Sequence, residues 1–115
     1  AIDQITNDID LAKSMAFGKH ETISIVYSTN NESYTIYSGV GNDRQPISDF
    51  PNSDNGVISL DNSTMRDVDL QSATFLNNSP ELQFLPLGDP VSGGQITLNT
   101  KTISIEPVTG KWTIN

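Results

Sequence analysis

Residues 93–115, "GGQITLNTKTISIEPVTGKWTIN", carry the pattern that decides the fold class. Ile96 and Leu98, then Ile103 and Ile105, then Trp112 and Ile114 recur at the two-residue period that sends side chains to one face of a sheet. Asn-Thr-Lys at 99–101 and Thr-Gly-Lys at 109–111 separate the runs with residues suited to turns. The spacing predicts a three-stranded β-meander at the end of the chain.

Most of the chain upstream reads the same way. "ETISIVYS" (21–28) and "SYTIYS" (33–38) flank Asn30 and Asn31, a pair that tolerates positive φ, so a hairpin over 21–38 is expected. The stretch 39–56, "GVGNDRQPISDFPNSDNG", is dense in Gly, Pro, Asn, Asp and Ser and reads as a long irregular loop. Shorter strands are expected at 57–60, 68–70, 73–76 and 82–85. No repeat at a solenoid period is present.

The other end is different. In "AIDQITNDIDLAKSMAF" (1–17), Ile2, Ile5, Ile9, Ala12 and Ala16 fall in one narrow stripe of a helix with 3.6 residues per turn, the face expected to meet a core. Leu11 and Met15, spaced i and i+4, lie on another side beside Gln4 and Asp8. That second apolar side either covers the margin of a sheet or meets another subunit. Gly18 is the expected helix stop, followed by Lys19 and His20, whose charge suits a helix C-terminus. The sum is α+β: an N-terminal amphipathic helix (1–17) across an antiparallel, β-rich domain (21–115), with Ile5, Ile9, Ala12 and Ala16 packing on strand residues such as Ile23, Ile25, Ile103 and Ile105.

A length of 115 residues suits a single domain spanning 1–115. Six basic against fourteen acidic residues give a net charge of −8, which opposes binding to a phosphate backbone, so no nucleic-acid partner is expected. With no cysteine there is neither a disulfide framework nor a thiolate nucleophile or metal ligand. No run of about 18 apolar residues could cross a bilayer. The chain opens with Ala-Ile-Asp and runs directly into a helical pattern, which suggests that a preceding segment has been removed.

Catalytic patterns are weak. His20, the one histidine, sits at the predicted helix end next to Glu21, the position of a cap or exposed loop residue rather than a general base. No Gly-x-Ser-x-Gly elbow surrounds any serine. A carboxylate pair of the glycosidase kind is the residual enzymatic reading. Asp43, Asp49 and Asp54 with Asn42, Asn52 and Asn55 offer oxygen ligands for calcium, but their order is not that of a calcium loop, and a solvated turn region is expected. No metal or other cofactor is expected, and "GVG" (39–41) and "SGG" (92–94) read as turn glycines rather than a phosphate cradle.

Taken together, the two ends resemble a known family. "DIDLAKSMAFGKHETISIVYS" (8–28) is similar to the segment in which pseudopilins and minor pilins of the GspH/FimT family leave their long N-terminal helix, with Leu11, Ala12, Ala16, Gly18 and Ile23 at the matching positions. "FLPLGDPVSGGQITLNTKTISIEPVTGKWTIN" (84–115) resembles the family's closing run, through Phe84, Gly88, Gly93, Gly94, Ile96, Ile103, Ile105, Thr109 and Gly110. Residues 39–80 match nothing nameable. The resemblance implies a pilin-like fold and a structural subunit rather than an enzyme. Its partners would be other pilins or pseudopilins, in a type II secretion pseudopilus or a type IV pilus. A hydrophobic half-helix, absent from this stretch, would anchor the protein in the bacterial inner membrane with this domain in the periplasm, as a monomer or weak oligomer on its own. Within a filament, Leu11 and Met15, with Gln4 and Asp8, would touch neighbouring helices. Some FimT-like relatives bind DNA through late basic residues, but Lys101 and Lys111 are the only ones here. The other functional class that fits is a small β-rich extracytoplasmic domain binding sugar or calcium.

Overall fold

The computed structural model describes residues 2–30, 32–39, 44–51, 53–59, 70–75, 79–98 and 101–114, with the backbone alone at 2–4. Among the described residues there are one helix and nine strands: α1 (Ile2–Lys19), β1 (Ile23–Ser28), β2 (Ser33–Ser38), β3 (Gln45–Pro46), β4 (Val57–Ser59), β5 (Leu70–Thr74), β6 (Glu81–Phe84), β7 (Gly94–Leu98), β8 (Thr102–Ile105) and β9 (Trp112–Ile114). The helix packs against antiparallel sheets in an α+β, pilin-like arrangement.

The strands divide into two sheets, a division that apolar periodicity alone does not reveal. One has the order β3-β2-β1-β6, with β4 also paired to β2; the other is β5-β7-β8-β9. The β1–β2 hairpin pairs Ile25 with Ile36 and Ser28 with Ser33. The closing meander forms as its alternation requires, Ile96 opposite Ile103 and Ile105 opposite Trp112. Ile5, Ile9, Ala12 and Ala16 are fully buried, in one apolar cluster with Ile23, Ile25, Ile96, Ile103 and Ile105. The helix makes its main contacts with β1 and β6 and reaches the second sheet through this shared core. The Ile2 side chain lies outside what is described.

Four local expectations are corrected. Gly18 does not stop the helix, which continues through Lys19. His20 takes the left-handed position instead, at φ 55°, while Glu21 N–H donates to the Ala16 carbonyl at 3.2 Å, closing the last turn. The strands expected at 68–70 and 73–76 are, where described, the single strand β5, with a bulge between Leu70 and Ser72 that shifts the period by one residue. The region 39–56 is not wholly irregular, because Ile47 and Phe50 are buried and β3 pairs with Tyr37 and Ser38. Strand β6 lies one residue earlier than expected, at Glu81–Phe84 instead of 82–85.

A glycine explains how the two ends of the second sheet fit. A Cβ on Gly94 would overlap the Phe75 ring and the Thr74 carbonyl, so only glycine lets β7 begin this close to β5.

Two substitutions check this description by chemical denaturation. Ala12→Leu should overpack the helix–sheet contact and cost about 1–3 kcal/mol; an unchanged midpoint would remove Ala12 from the core. His20→Gly should stabilise by up to about 1 kcal/mol, because glycine lacks the left-handed steric penalty; a loss would mean that His20 makes a contact worth more than that penalty.

Candidate interaction surface

The two flanks of the helix differ in chemistry. On one, Asp8 is only 4 % exposed, and its Oδ2 accepts a 2.6 Å hydrogen bond from the Tyr34 hydroxyl on β2. Asp8 therefore does not join Leu11 and Met15 on an outward surface, which corrects the expectation that it touches neighbouring subunits. The helix turns that position toward the sheet, and a buried carboxyl group needs a donor. Leu11 and Met15 are half-buried and lean on the apolar cluster, leaving only part of each side chain open. The Gln4 side chain lies outside what is described. Tyr27 lies tilted against Tyr34, ring centres 5.4 Å apart, and its hydroxyl has no hydrogen-bond partner among the described residues. Burial, with the Asp8 carboxyl group nearby, pushes the Tyr27 phenol far above its ordinary range.

The opposite flank is open and carries Asp10, Lys13, Ser14 and Phe17. The last hairpin is fastened to it twice. Lys13 Nζ donates to the Thr109 carbonyl at 2.6 Å, and Trp112 Nε1–H donates to Asp10 Oδ1 at 3.0 Å. Gly110, at φ 70°, allows the turn between β8 and β9 to come in closely: a Cβ there would lie 3.1 Å from the Phe84 ring and 3.3 Å from Pro90. Phe84 is fully buried, and a Cβ on Gly88 would lie 3.5 Å from the Phe17 Cβ. Phe84, Gly88, Thr109 and Gly110, four of the positions on which the sequence resemblance rests, thus come together on one helix flank. Gly93 and Gly94 open β7 elsewhere, and Gly18 stands in the exposed last helical turn.

Two recesses line this flank. One, of about 420 Å³, is bounded by Asp10, Lys13, Ser14, Phe17, Leu87 and Gly88. The other, of about 660 Å³, is bounded by Asp10, Lys13, Thr109, Gly110, Lys111 and Trp112. Phe17 is 60 % exposed and Leu87 77 %. Sequence reasoning missed both residues, because their exposure depends on where the 85–90 loop lands and not on helical periodicity.

The remaining polar groups belong to the framework. On the outer face of the first sheet, Arg44 forms a 2.7 Å ion pair with Glu81 and lies 4.4 Å from the Tyr37 ring centre, spanning β1. Of the calcium candidates, Asp49, Asp54 and Asn55 are exposed, while Asn42, Asp43 and Asn52 lie outside the described residues. Among the described residues no three His, Asp or Glu side chains gather as a metal set. His20 is exposed. Among the described residues no helix is long and apolar enough to cross a membrane.

A helix laid over antiparallel sheets, with a hairpin strapped across its open flank, defines a pilin-like domain. The chain belongs to the GspH family: the family model described as "Type II transport protein GspH" matches residues 1–114. Comparison with curated proteins and with solved structures returned no match.

Tyr34→Phe should cost about 1–3 kcal/mol, since it takes a donor from a buried oxygen. Urea unfolding of the two proteins checks this, and an equal midpoint would mean that Asp8 finds a replacement partner at no cost.

Proposed function

We propose that this chain is the periplasmic domain of a minor pseudopilin, a structural subunit that joins related subunits in a type II secretion filament and has no catalytic role. The observation that supports the reading best is the family match over residues 1–114, together with a helix that covers its own sheets with one stripe and keeps another flank open. The full-length protein, on this reading, carries an upstream apolar half-helix that holds it in the inner membrane before assembly, as members of such filaments require. Methylation of the N-terminal residue after leader cleavage belongs to the same reading. The secretion filament is favoured over a type IV pilus because the matching family is described as a transport protein.

Leu11 and Met15 belong to this proposal through the parts of their side chains left open. Their replacement by Ser would confound folding with assembly, since both also rest on the core. The test therefore uses the whole gene. Deleting it from its host should abolish secretion through the type II pathway. Restoring the full-length gene should rescue secretion, whereas a version lacking the apolar half-helix should not. Normal secretion in the deletion strain, or full rescue by the domain alone, would overturn the reading.

A further inference from the structure

Resting on the reading of the chain as a filament subunit, we infer that the trough on the Asp10–Lys13–Phe17 flank seats an amphipathic helix of a different pilin-type subunit, one whose facing side combines apolar residues with carboxylates. The two recesses share Asp10 and Lys13, so they lie side by side along the helix, and the trough is the pair of them. From Asp10 to Phe17 it runs about 10 Å at about 1.5 Å per residue, enough to receive two turns of a partner helix. Its apolar lining is supplied by exposed Phe17 and Leu87 on one side. Single exposed hydrophobic side chains are ordinary, but here two line one recess and the half-buried indole of Trp112 lines the recess beside it.

Charge selects among helices that could fill the trough. The chain as a whole is at −8, yet the trough is lined by two lysines, Lys13 and Lys111, against the single carboxylate of Asp10. Asp10 is already engaged by the Trp112 N–H. Lys13 donates to a neutral carbonyl and forms no ion pair among the described residues. An ammonium group has three donors, and a partner carboxylate would complete this one. A second copy of this chain brings the wrong face. Its Leu11 and Met15 are flanked by Asp8, and that carboxyl group is buried against Tyr34 and not open for pairing. A different subunit with an open Asp or Glu beside its apolar stripe meets the requirement.

Photo-crosslinking in the full-length protein, expressed in its own host, tests the inference. A photoreactive residue replacing Leu87 should give an adduct with another pilin-type subunit, mapped by mass spectrometry to a helical peptide containing Asp or Glu. A photoreactive residue at exposed Gln95 on β7 serves as the control and should not give that adduct. In the Lys13→Glu, Lys111→Glu double variant, the Leu87 adduct should fall at least ten-fold. An adduct with a second copy of this chain, an adduct outside a helix, or no adduct at Leu87 while pilin-type subunits still co-purify would overturn the seat and leave the filament reading standing. Absence of any pilin-type subunit from the purified material would overturn both. If the double variant does not fold, the map from the Leu87 adduct decides by itself.

Discussion

Everything in this domain depends on the burial of one narrow helix stripe. Ile5 and Ile9 supply apolar area, each worth about 1.5–3 kcal/mol when fully removed from water. Ala12 and Ala16, one turn and two turns further on, supply closeness instead, because a methyl group lets the helix backbone approach the strands. The stripe thus tapers from bulky to small along the helix. The same taper sets how the sheets are used: β1 and β6 carry the helix directly, and the second sheet meets it through the shared cluster. Leu11 and Met15 are only partly buried against this cluster, so they act as its margin and not as a second core.

A second constraint acts on polar groups. The helix cannot rotate about its axis without moving Asp8 away from the Tyr34 hydroxyl on one flank and Asp10 away from the Trp112 N–H on the other. Apolar burial is non-directional, and directional bonds on opposite flanks remove the freedom that it leaves. The buried bond carries more of that specification than the exposed ones, because breaking it strands a polar group away from water. On this physical ground the closing hairpin is a strap, held by exposed bonds of modest strength over a partly apolar floor.

Much of this was legible in the residues. The two-residue alternation of Ile96, Leu98, Ile103 and Ile105 specified the meander, and the 3.6-residue stripe specified the buried helix face, because in both cases one face is dry and the other wet. The GspH/FimT resemblance rested on residues from the two ends of the chain, and four of the late ones meet on a single helix flank. What the sequence could not show was three-dimensional addition. Asp8 looks like a surface residue in a polar stretch until Tyr34 arrives from 26 positions away. Phe17 and Leu87 have no periodic relation, and their shared exposure follows from a loop conformation. The bulge at Leu70 and Ser72 breaks the alternation on which strand reading depends. The left-handed His20 defeats a rule that expects glycine, since the helix had one more turn position to fill than Gly18 allows.

The strap from Trp112 to Asp10 joins residues 102 positions apart, the first element to the last. Loop closure over such a span is a late step, because contacts distant in sequence form only after the intervening chain has been ordered. The N-terminal helix is synthesised long before β9, so the flank of that helix stays uncovered until the closing hairpin has been made. The surface on that flank is therefore finished only once the hairpin that carries Trp112 has been made and has folded back onto the helix.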